Sequence, residues 1–255
     1  MRPAVLALAL AGLVAAHAEA PPTPYQLYAD GRYDEAVRAG LAQNDAAGFC
    51  DAARAVLAQE ASRDKPCLDC LQRAESYARR AVAADPKFAA GHIYLAVSLG
   101  LEEHIEGPVV ARLRRYPDQA KRSLDAALAA EPKSAWALAA RGGWNLAIVR
   151  GGGRVLADMI YGATLAKGLA DFAAAFQAAP DNFVLRYQYA LSLSDYDADR
   201  FHAAIEDALT RAANGTANTA YERMMRTRAG ELLYLFKKGD RDAYATRVRK
   251  YQGYP

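Results

Sequence analysis

Three prolines define a repeated unit, and they constrain the fold more than any other feature of the sequence. Pro86, Pro132 and Pro180 are 46 and 48 residues apart. Each follows a run in which small residues recur at helical spacing, and a second apolar run begins two or three residues later. Because proline cannot continue a helix but suits a turn or a helix start, each of these prolines predicts a joint between two helices.

The rest of the chain agrees with an all-α protein. Alanine and leucine recur at helical spacing almost throughout, and no stretch has the alternating, β-branched pattern of a strand. With 53% hydrophobic residues, a chain of 255 residues can bury a core in one or two domains. The net charge of +3 is too small to indicate nucleic-acid binding.

The N-terminus predicts export. A short basic start is followed by an apolar run over residues 4–15 and then by Ala16-His17-Ala18, which fits the cleavage pattern of a secretory signal peptide. An uncleaved anchor helix is the weaker alternative, because a bilayer span needs about 20 apolar residues. We therefore expect a signal peptide over residues 1–18, a flexible leader over 19–24, and a soluble mature protein that is periplasmic or secreted.

The repeated pattern resembles that of tetratricopeptide-repeat proteins. In that family, small residues in the second helix of a unit are followed by a proline. Ala74, Ala81 and Pro86 match this order, and the residues before the other two prolines repeat it. The segment 31–36, Gly-Arg-Tyr-Asp-Glu-Ala, matches the turn between the two helices of the family's unit.

This resemblance implies an all-α, right-handed α-solenoid of four or five stacked helical hairpins. The repeat domain is expected over residues 25–239, with a C-terminal capping helix and tail over 240–255. The units are longer than the family's repeat of about 34 residues. We expect the extra residues, 101–117 and 150–165, to form added short helices or loops.

Residues 135–179 also resemble a segment of the regulator of microtubule dynamics proteins, a tetratricopeptide-like family. Gly142, Trp144, Tyr161 and Gly162 match that family's Gly-x-Trp helix and the aromatic-glycine loop that follows it. The resemblance implies a shared hairpin architecture. It does not carry microtubule binding over to an exported protein.

The three cysteines, Cys50, Cys67 and Cys70, are disulfide candidates, because a disulfide is the default in an exported protein. Cys50 lies on the preceding predicted helix, so it could bridge to Cys67 or Cys70. A redox-active Cys67–Cys70 pair is the alternative, since a helix start lowers the pKa of a thiol. Leu71 replaces the His of a haem attachment motif, and no further Cys or His lies nearby to complete a zinc site. We predict neither a metal nor a cofactor.

No group of residues predicts catalysis. The glycines at 151–153 lack the preceding strand and the Lys-Ser/Thr of a phosphate loop, and they predict a helix break instead. Glu102-Glu103-His104 lacks the HExxH spacing and fits a solvated helix end. His92 fits a packing position. We therefore predict that the protein is not an enzyme.

A solenoid exposes the first helix of each unit along a concave face, where ligands bind. By resemblance, six residues are expected to bind a partner there: Ile93, Val97, Trp136, Asn145, Arg186 and Tyr187. The predicted function is a non-enzymatic scaffold that binds a protein or peptide in the cell envelope. Two alternatives remain: a redox or ligand-binding role at Cys67 and Cys70, and an accessory role in an envelope transport system.

The last 35 residues carry nine Lys and Arg against four Asp and Glu. Their pattern predicts two amphipathic helices, joined near Lys238-Gly239-Asp240, that cap the solenoid. Their basic surface is a candidate for contact with anionic surfaces. Nucleic-acid binding and stable membrane insertion are not predicted.

Overall fold

The computed structural model describes residues 20–255, and the predicted signal peptide lies outside the described residues. Within 20–255 the chain forms twelve α-helices and no strand, which confirms the all-α prediction. The helices are α1 (Pro24–Asp30), α2 (Tyr33–Gln43), α3 (Ala46–Ala61), α4 (Leu68–Ala84), α5 (Ala89–Leu113), α6 (Tyr116–Ala130), α7 (Ala135–Tyr161), α8 (Leu165–Ala178), α9 (Phe183–Asp197), α10 (His202–Ala213), α11 (Ala220–Lys238) and α12 (Arg241–Tyr251). None of these helices is long and apolar enough to cross a membrane.

Consecutive helices pair into six hairpins, from α1–α2 to α11–α12. Neighbouring hairpins stack through their first helices, since α5 packs on both α3 and α7, and α7 packs on α9. This is a helical-repeat fold. It has more units than the four or five expected, because the short first pair and the last pair also form hairpins. The right-handed sense of the stack stays a prediction.

The three prolines lie between hairpins, as the sequence predicts. Pro86 follows α4, Pro132 follows α6 and Pro180 follows α8. The small residues before them face the interior, and Ala81 and Ala175 are completely buried. Side chains of this size let the second helix of one unit lie close to the first helix of the next.

Glycine brings α7 and α8 into close contact. A Cβ added to Gly168 would lie 2.1 Å from Leu146 Cδ1 and 3.0 Å from the Gly142 carbonyl oxygen. A Cβ on Gly142 would lie 2.7 Å from Phe172 Cδ2. These two glycines are therefore required by helix packing.

The long units arise because α5 and α7 continue past a kink. Gly107 (φ 80°) and Gly153 (φ 72°) adopt a positive φ that favours glycine, and the helix then resumes. We call residues 108–113 and 154–161 the post-kink segments. They account for about half of the residues beyond the usual repeat length, and they are short helical additions, one of the two forms expected.

The last hairpin folds back onto the beginning of the chain. The ring of Tyr221, on α11, lies 6.4 Å from that of Tyr28, on α1, between centroids. The Arg228 guanidinium, also on α11, donates to the carbonyl oxygen of Ala61 at the end of α3. Helices α1 and α11 are therefore in direct contact, although they lie at opposite ends of the sequence.

The residues that follow α12 extend this contact to α5 and α9. His104 Nδ1, on α5, donates to the Gln252 carbonyl oxygen at 2.6 Å, and its ring stacks on Tyr254 at 4.2 Å. The Gln252 amide donates to the Leu191 carbonyl oxygen, on α9, at 3.3 Å. Since α1, α3, α5 and α9 are all first helices, the C-terminal hairpin covers part of the face that was expected to bind a ligand.

Candidate functional site

The six residues predicted to bind a partner differ widely in exposure. Three are buried: Ile93 (8% exposed), Asn145 (4%) and Tyr187 (1%). The other three retain contact with solvent: Trp136 is 45% exposed, and Val97 and Arg186 are half-buried. The structure therefore does not bring all six together on one accessible surface.

The buried three have roles in packing. The Asn145 amide donates to the Arg141 carbonyl oxygen at 3.0 Å and to Asp171 Oδ2 at 3.3 Å, which links α7 to α8. Tyr187 lies in the core that α9 shares with α10 and the C-terminal hairpin, and Ile93 packs against alanines of neighbouring helices. In this structure these side chains support the fold and are buried, and partner binding by the six residues stays a prediction.

The post-kink segments instead present large apolar side chains to solvent. We define the end patch as the six of these side chains that are between 54% and 80% exposed: Val109, Leu113, Val155, Leu156, Met159 and Ile160. Scattered exposed apolar residues are normal, but a concentration of this kind on a globular protein typically marks an interaction site. The end patch is therefore the candidate partner-binding surface.

Trp144 connects the two segments of the end patch. Its ring packs against the cluster that contains Ala111, of one segment, and against the cluster that contains Ala157, of the other. Its Nε1 donates to the Pro117 carbonyl oxygen at 3.2 Å, and its ring meets that of Tyr161 edge-on at 6.1 Å. Trp144 therefore packs between the two segments that carry the end patch.

The surroundings of the end patch are basic. Residues 108–115 and 154–161 contain four arginines and one acid, Asp158. Arg114 and Arg115 form ion pairs with acids outside these segments, whereas Arg112 and Arg154 are exposed. The surface thus combines apolar side chains with a positive rim.

The region that builds this surface lies inside a match to a known family. The model of the family described as regulator of microtubule dynamics protein 1-3 matches residues 32–237. The chain belongs to this family. The match runs from the start of the second helix to the penultimate residue of α11 and includes both post-kink segments. No curated protein and no solved structure matches this regulator of microtubule dynamics family member.

The cysteines form a second candidate site at the start of α4. Cys67 and Cys70 form a disulfide, with Cα atoms 5.2 Å apart. Cys50 is a free and buried thiol that packs against Phe49 and Ala81. Burial raises the pKa of Cys50 to about 12. Of the three disulfide candidates, Cys67 and Cys70 are confirmed, whereas the possible bridge from Cys50 to one of them is not formed.

Glu60, in the last turn of α3, adjoins the Cys67–Cys70 disulfide. Its Oε1 accepts the backbone N–H of Cys67 at 2.6 Å. Burial raises the pKa of Glu60, while that hydrogen bond and the charge of Arg63 oppose the rise. Sequence reasoning missed Glu60 because it precedes the cysteines on another helix, and only the intervening loop places it beside them.

Glu102 does not lie at a solvated helix end, which corrects another expectation. Its side chain is fully buried, and the Tyr116 hydroxyl lies 3.0 Å from Glu102 Oε2 and 2.8 Å from Glu106 Oε2. Burial and then the nearby Glu75 raise the pKa of Glu102 to about 7. His92, by contrast, takes the expected packing position, where it is buried and donates to a backbone carbonyl oxygen at 2.9 Å.

Basic residues of the last hairpin take part in ion pairs within the chain. Arg247 pairs with Glu231, and Lys250 pairs with Asp64 of the α3–α4 loop at 3.1 Å. These pairs reduce the positive charge that this region offers to other molecules. Contact between the C-terminal region and anionic surfaces stays a prediction.

Proposed function

We propose that this protein is an exported, non-enzymatic, tetratricopeptide-like scaffold that binds a protein or peptide in the cell envelope through the end patch. The helical-repeat fold and the family membership support the scaffold role, and the N-terminal sequence supports export. The observation that carries the binding site is the joint exposure of six large apolar side chains on two adjacent segments.

The chemistry of the end patch favours an amphipathic partner segment with acidic flanks. Burying a large apolar side chain on binding is worth about 1.5–3 kcal/mol, so a few such residues can supply most of an affinity. The arginine rim would attract acidic residues and speed association. Leu113 and Met159, the two most exposed members, are the expected anchors.

A non-enzymatic role is supported by the structural contacts that the buried ionisable groups make. Glu102 lies against the Tyr116 hydroxyl between α5 and α6. His104 is occupied by Gln252 and Tyr254. These groups connect helices in the way expected of structural residues.

Site-specific photo-crosslinking tests the partner site. A photoreactive residue at position 159 is expected to capture one protein in cells that produce this chain, whereas the same residue at position 234 is not. Tyr234 is a matched control, because it is 66% exposed but lies on α11, outside the end patch.

Substitutions decide whether the captured protein binds the end patch. Leu113→Asp and Met159→Asp should each weaken binding of that protein at least tenfold, while Tyr234→Asp should leave it unchanged. Circular dichroism of each variant checks that the helices persist. Equal binding by all three variants would contradict the proposal.

Cell fractionation and intact mass spectrometry test export. The mature chain is expected outside the cytoplasm and should begin at Glu19. A cytoplasmic chain that retains residues 1–18 would refute that part of the proposal.

A second candidate function is favoured by one specific observation. The Cys67–Cys70 disulfide is half-buried rather than enclosed, and a buried carboxylate lies beside it. This arrangement supports the alternative of a redox or ligand-binding role at the start of α4. Thiol titration after mild reduction separates a reactive pair from an inert structural disulfide.

A further inference from the structure

Three potential metal ligands from two helices converge at the start of α4. A carboxylate oxygen of Glu60 and the sulfur atoms of Cys67 and Cys70 all lie within 4.8 Å of one another. The Glu60 side chain is only 7% exposed. The α3–α4 loop therefore brings a buried acid to a pair of sulfur atoms that solvent can reach.

One carboxylate oxygen of Glu60 is fixed by a hydrogen bond, and the other accepts none. Its Oε1 accepts the Cys67 backbone N–H at 2.6 Å, which orients the carboxylate toward the cysteines. Its Oε2 is buried and has no hydrogen-bond partner among residues 20–255, and Arg63 Nε lies 3.6 Å away, within ion-pair range only. A buried carboxylate oxygen without a hydrogen bond is costly unless a cation can bind it.

We propose that reduction of the Cys67–Cys70 disulfide creates a metal site in which Glu60, Cys67 and Cys70 bind a thiophilic divalent cation such as Zn²⁺. The site lies at the start of α4, apart from the end patch on α5 and α7, and the proposal does not depend on the partner-binding function.

The reaction balances with a dithiol as the reductant. The dithiol supplies two electrons and two protons, so the S–S bond breaks, each cysteine becomes a thiol, and the reductant becomes a disulfide. Binding of Zn²⁺ then releases both thiol protons to solvent. Two thiolates and one carboxylate remain as ligands, and water completes a four-coordinate site.

The observed spacing fits this coordination. Zinc binds thiolate sulfur at about 2.3 Å and carboxylate oxygen at about 2.0–2.2 Å, so the ligand atoms of a tetrahedral site lie about 3.5–3.8 Å apart. Once the S–S bond opens, rotation of the two cysteine side chains can reach this spacing. The backbone N–H of Cys70, which lies 3.2 Å from Cys67 Sγ, favours the thiolate form at the helix start.

Cobalt binding by the full mature protein tests the site, because Co²⁺ bound to thiolates gives a charge-transfer band. The protein is reduced with a phosphine, and the phosphine is then removed under anaerobic conditions. The reduced protein is titrated with Co²⁺ and then with Zn²⁺. We expect one Co²⁺ per chain, a sulfur-to-cobalt band, and displacement by Zn²⁺. The oxidised protein should give no such band.

Four variants assign the ligands. Cys67→Ser combined with Cys70→Ser should abolish the band, and Glu60→Gln should weaken cobalt binding tenfold or more. Cys50→Ser and Glu131→Gln are the matched controls, since Cys50 packs elsewhere and Glu131 is exposed at the end of α6, and neither should change the affinity.

A second measurement needs no variant. In the reduced wild-type protein, Zn²⁺ should slow alkylation of Cys67 and Cys70 at least tenfold. The proposal is overturned if the reduced protein gives no thiolate band, if Zn²⁺ leaves the alkylation rate unchanged, if folded Glu60→Gln binds cobalt like the wild type, or if Cys50→Ser removes binding.

Discussion

The charge of Glu102 should control the stability of this fold near neutral pH. Its side chain is fully buried on α5, and one Tyr116 hydroxyl is shared between Glu102 and Glu106. A single hydroxyl proton cannot satisfy two carboxylates at once. The other oxygen of Glu102, Oε1, has no hydrogen-bond partner among residues 20–255. The neutral form of Glu102 is therefore favoured in the folded protein.

The size of the effect follows from the pKa of Glu102. Burial, followed by the charge of Glu75, raises this pKa from its ordinary value of 4.5 to about 7. The folded state thus binds the proton more tightly than the unfolded state does, and a tenfold difference in proton affinity is worth about 1.36 kcal/mol. The stabilisation is complete below pH 4.5 and is lost as the pH rises through 7, by about 3 kcal/mol in total.

Glu102→Gln should remove this pH dependence, because the amide is neutral at every pH. The free energy of unfolding, measured by urea denaturation at pH 4 and at pH 8.5, tests this. The difference between variant and wild type should move in favour of the variant by about 3 kcal/mol between the two pH values. Glu131→Gln, at an exposed position, should show no such change.

The change in the free-energy difference between pH 4 and pH 8.5 is more informative than the difference at one pH, because the amide can gain or lose hydrogen bonds at both. Groups that titrate in wild type and variant alike cancel in the difference. Parallel pH profiles for Glu102→Gln and the wild type would refute the reasoning, because they would mean that Glu102 has the same proton affinity in the folded and unfolded states.

The remaining predictions concern contacts between helices, and each is tested by the free energy of unfolding in urea. Gly168→Ala should destabilise the protein by about 1–3 kcal/mol, because the new Cβ would lie 2.1 Å from Leu146 Cδ1. Gly230→Ala, where a Cβ meets nothing within 4 Å, should instead stabilise it by about 0.5–1 kcal/mol, and effects of the same sign would contradict this explanation. Asp171→Ala should cost about 2–3 kcal/mol, since Arg141 loses two hydrogen bonds of 2.6 and 3.0 Å, and a cost below about 0.5 kcal/mol would mean that solvent replaces the pair.

The positions of the helix joints could be predicted because their cause is local. Proline restricts its own backbone and removes a hydrogen-bond donor wherever it occurs, so Pro86, Pro132 and Pro180 mark boundaries without any knowledge of distant contacts. The same holds for Gly239, which separates α11 from α12 with a positive φ. Local chemistry thus accounts for much of the hairpin pattern.

The candidate sites could not be predicted in the same way. Position within a repeat indicates which side of a helix a residue such as Tyr187 occupies, but it does not indicate what covers that side. Here the C-terminal hairpin contributes to the core around Tyr187. Glu60 lies beside Cys67 only because the α3–α4 loop folds back, and a local pattern contains no sign of this.

The contact between Tyr28 and Tyr221 has a consequence for how the chain reaches its native state. In an open array of repeats, each unit contacts only its neighbours, so a terminal unit can detach at modest cost. Here the first and last hairpins share an interface, and a chain that lacks its final 35 residues would leave aromatic surface of α1 exposed to water. The native packing of α1 therefore requires the α11–α12 hairpin, and we expect that unfolding of either hairpin disturbs the other.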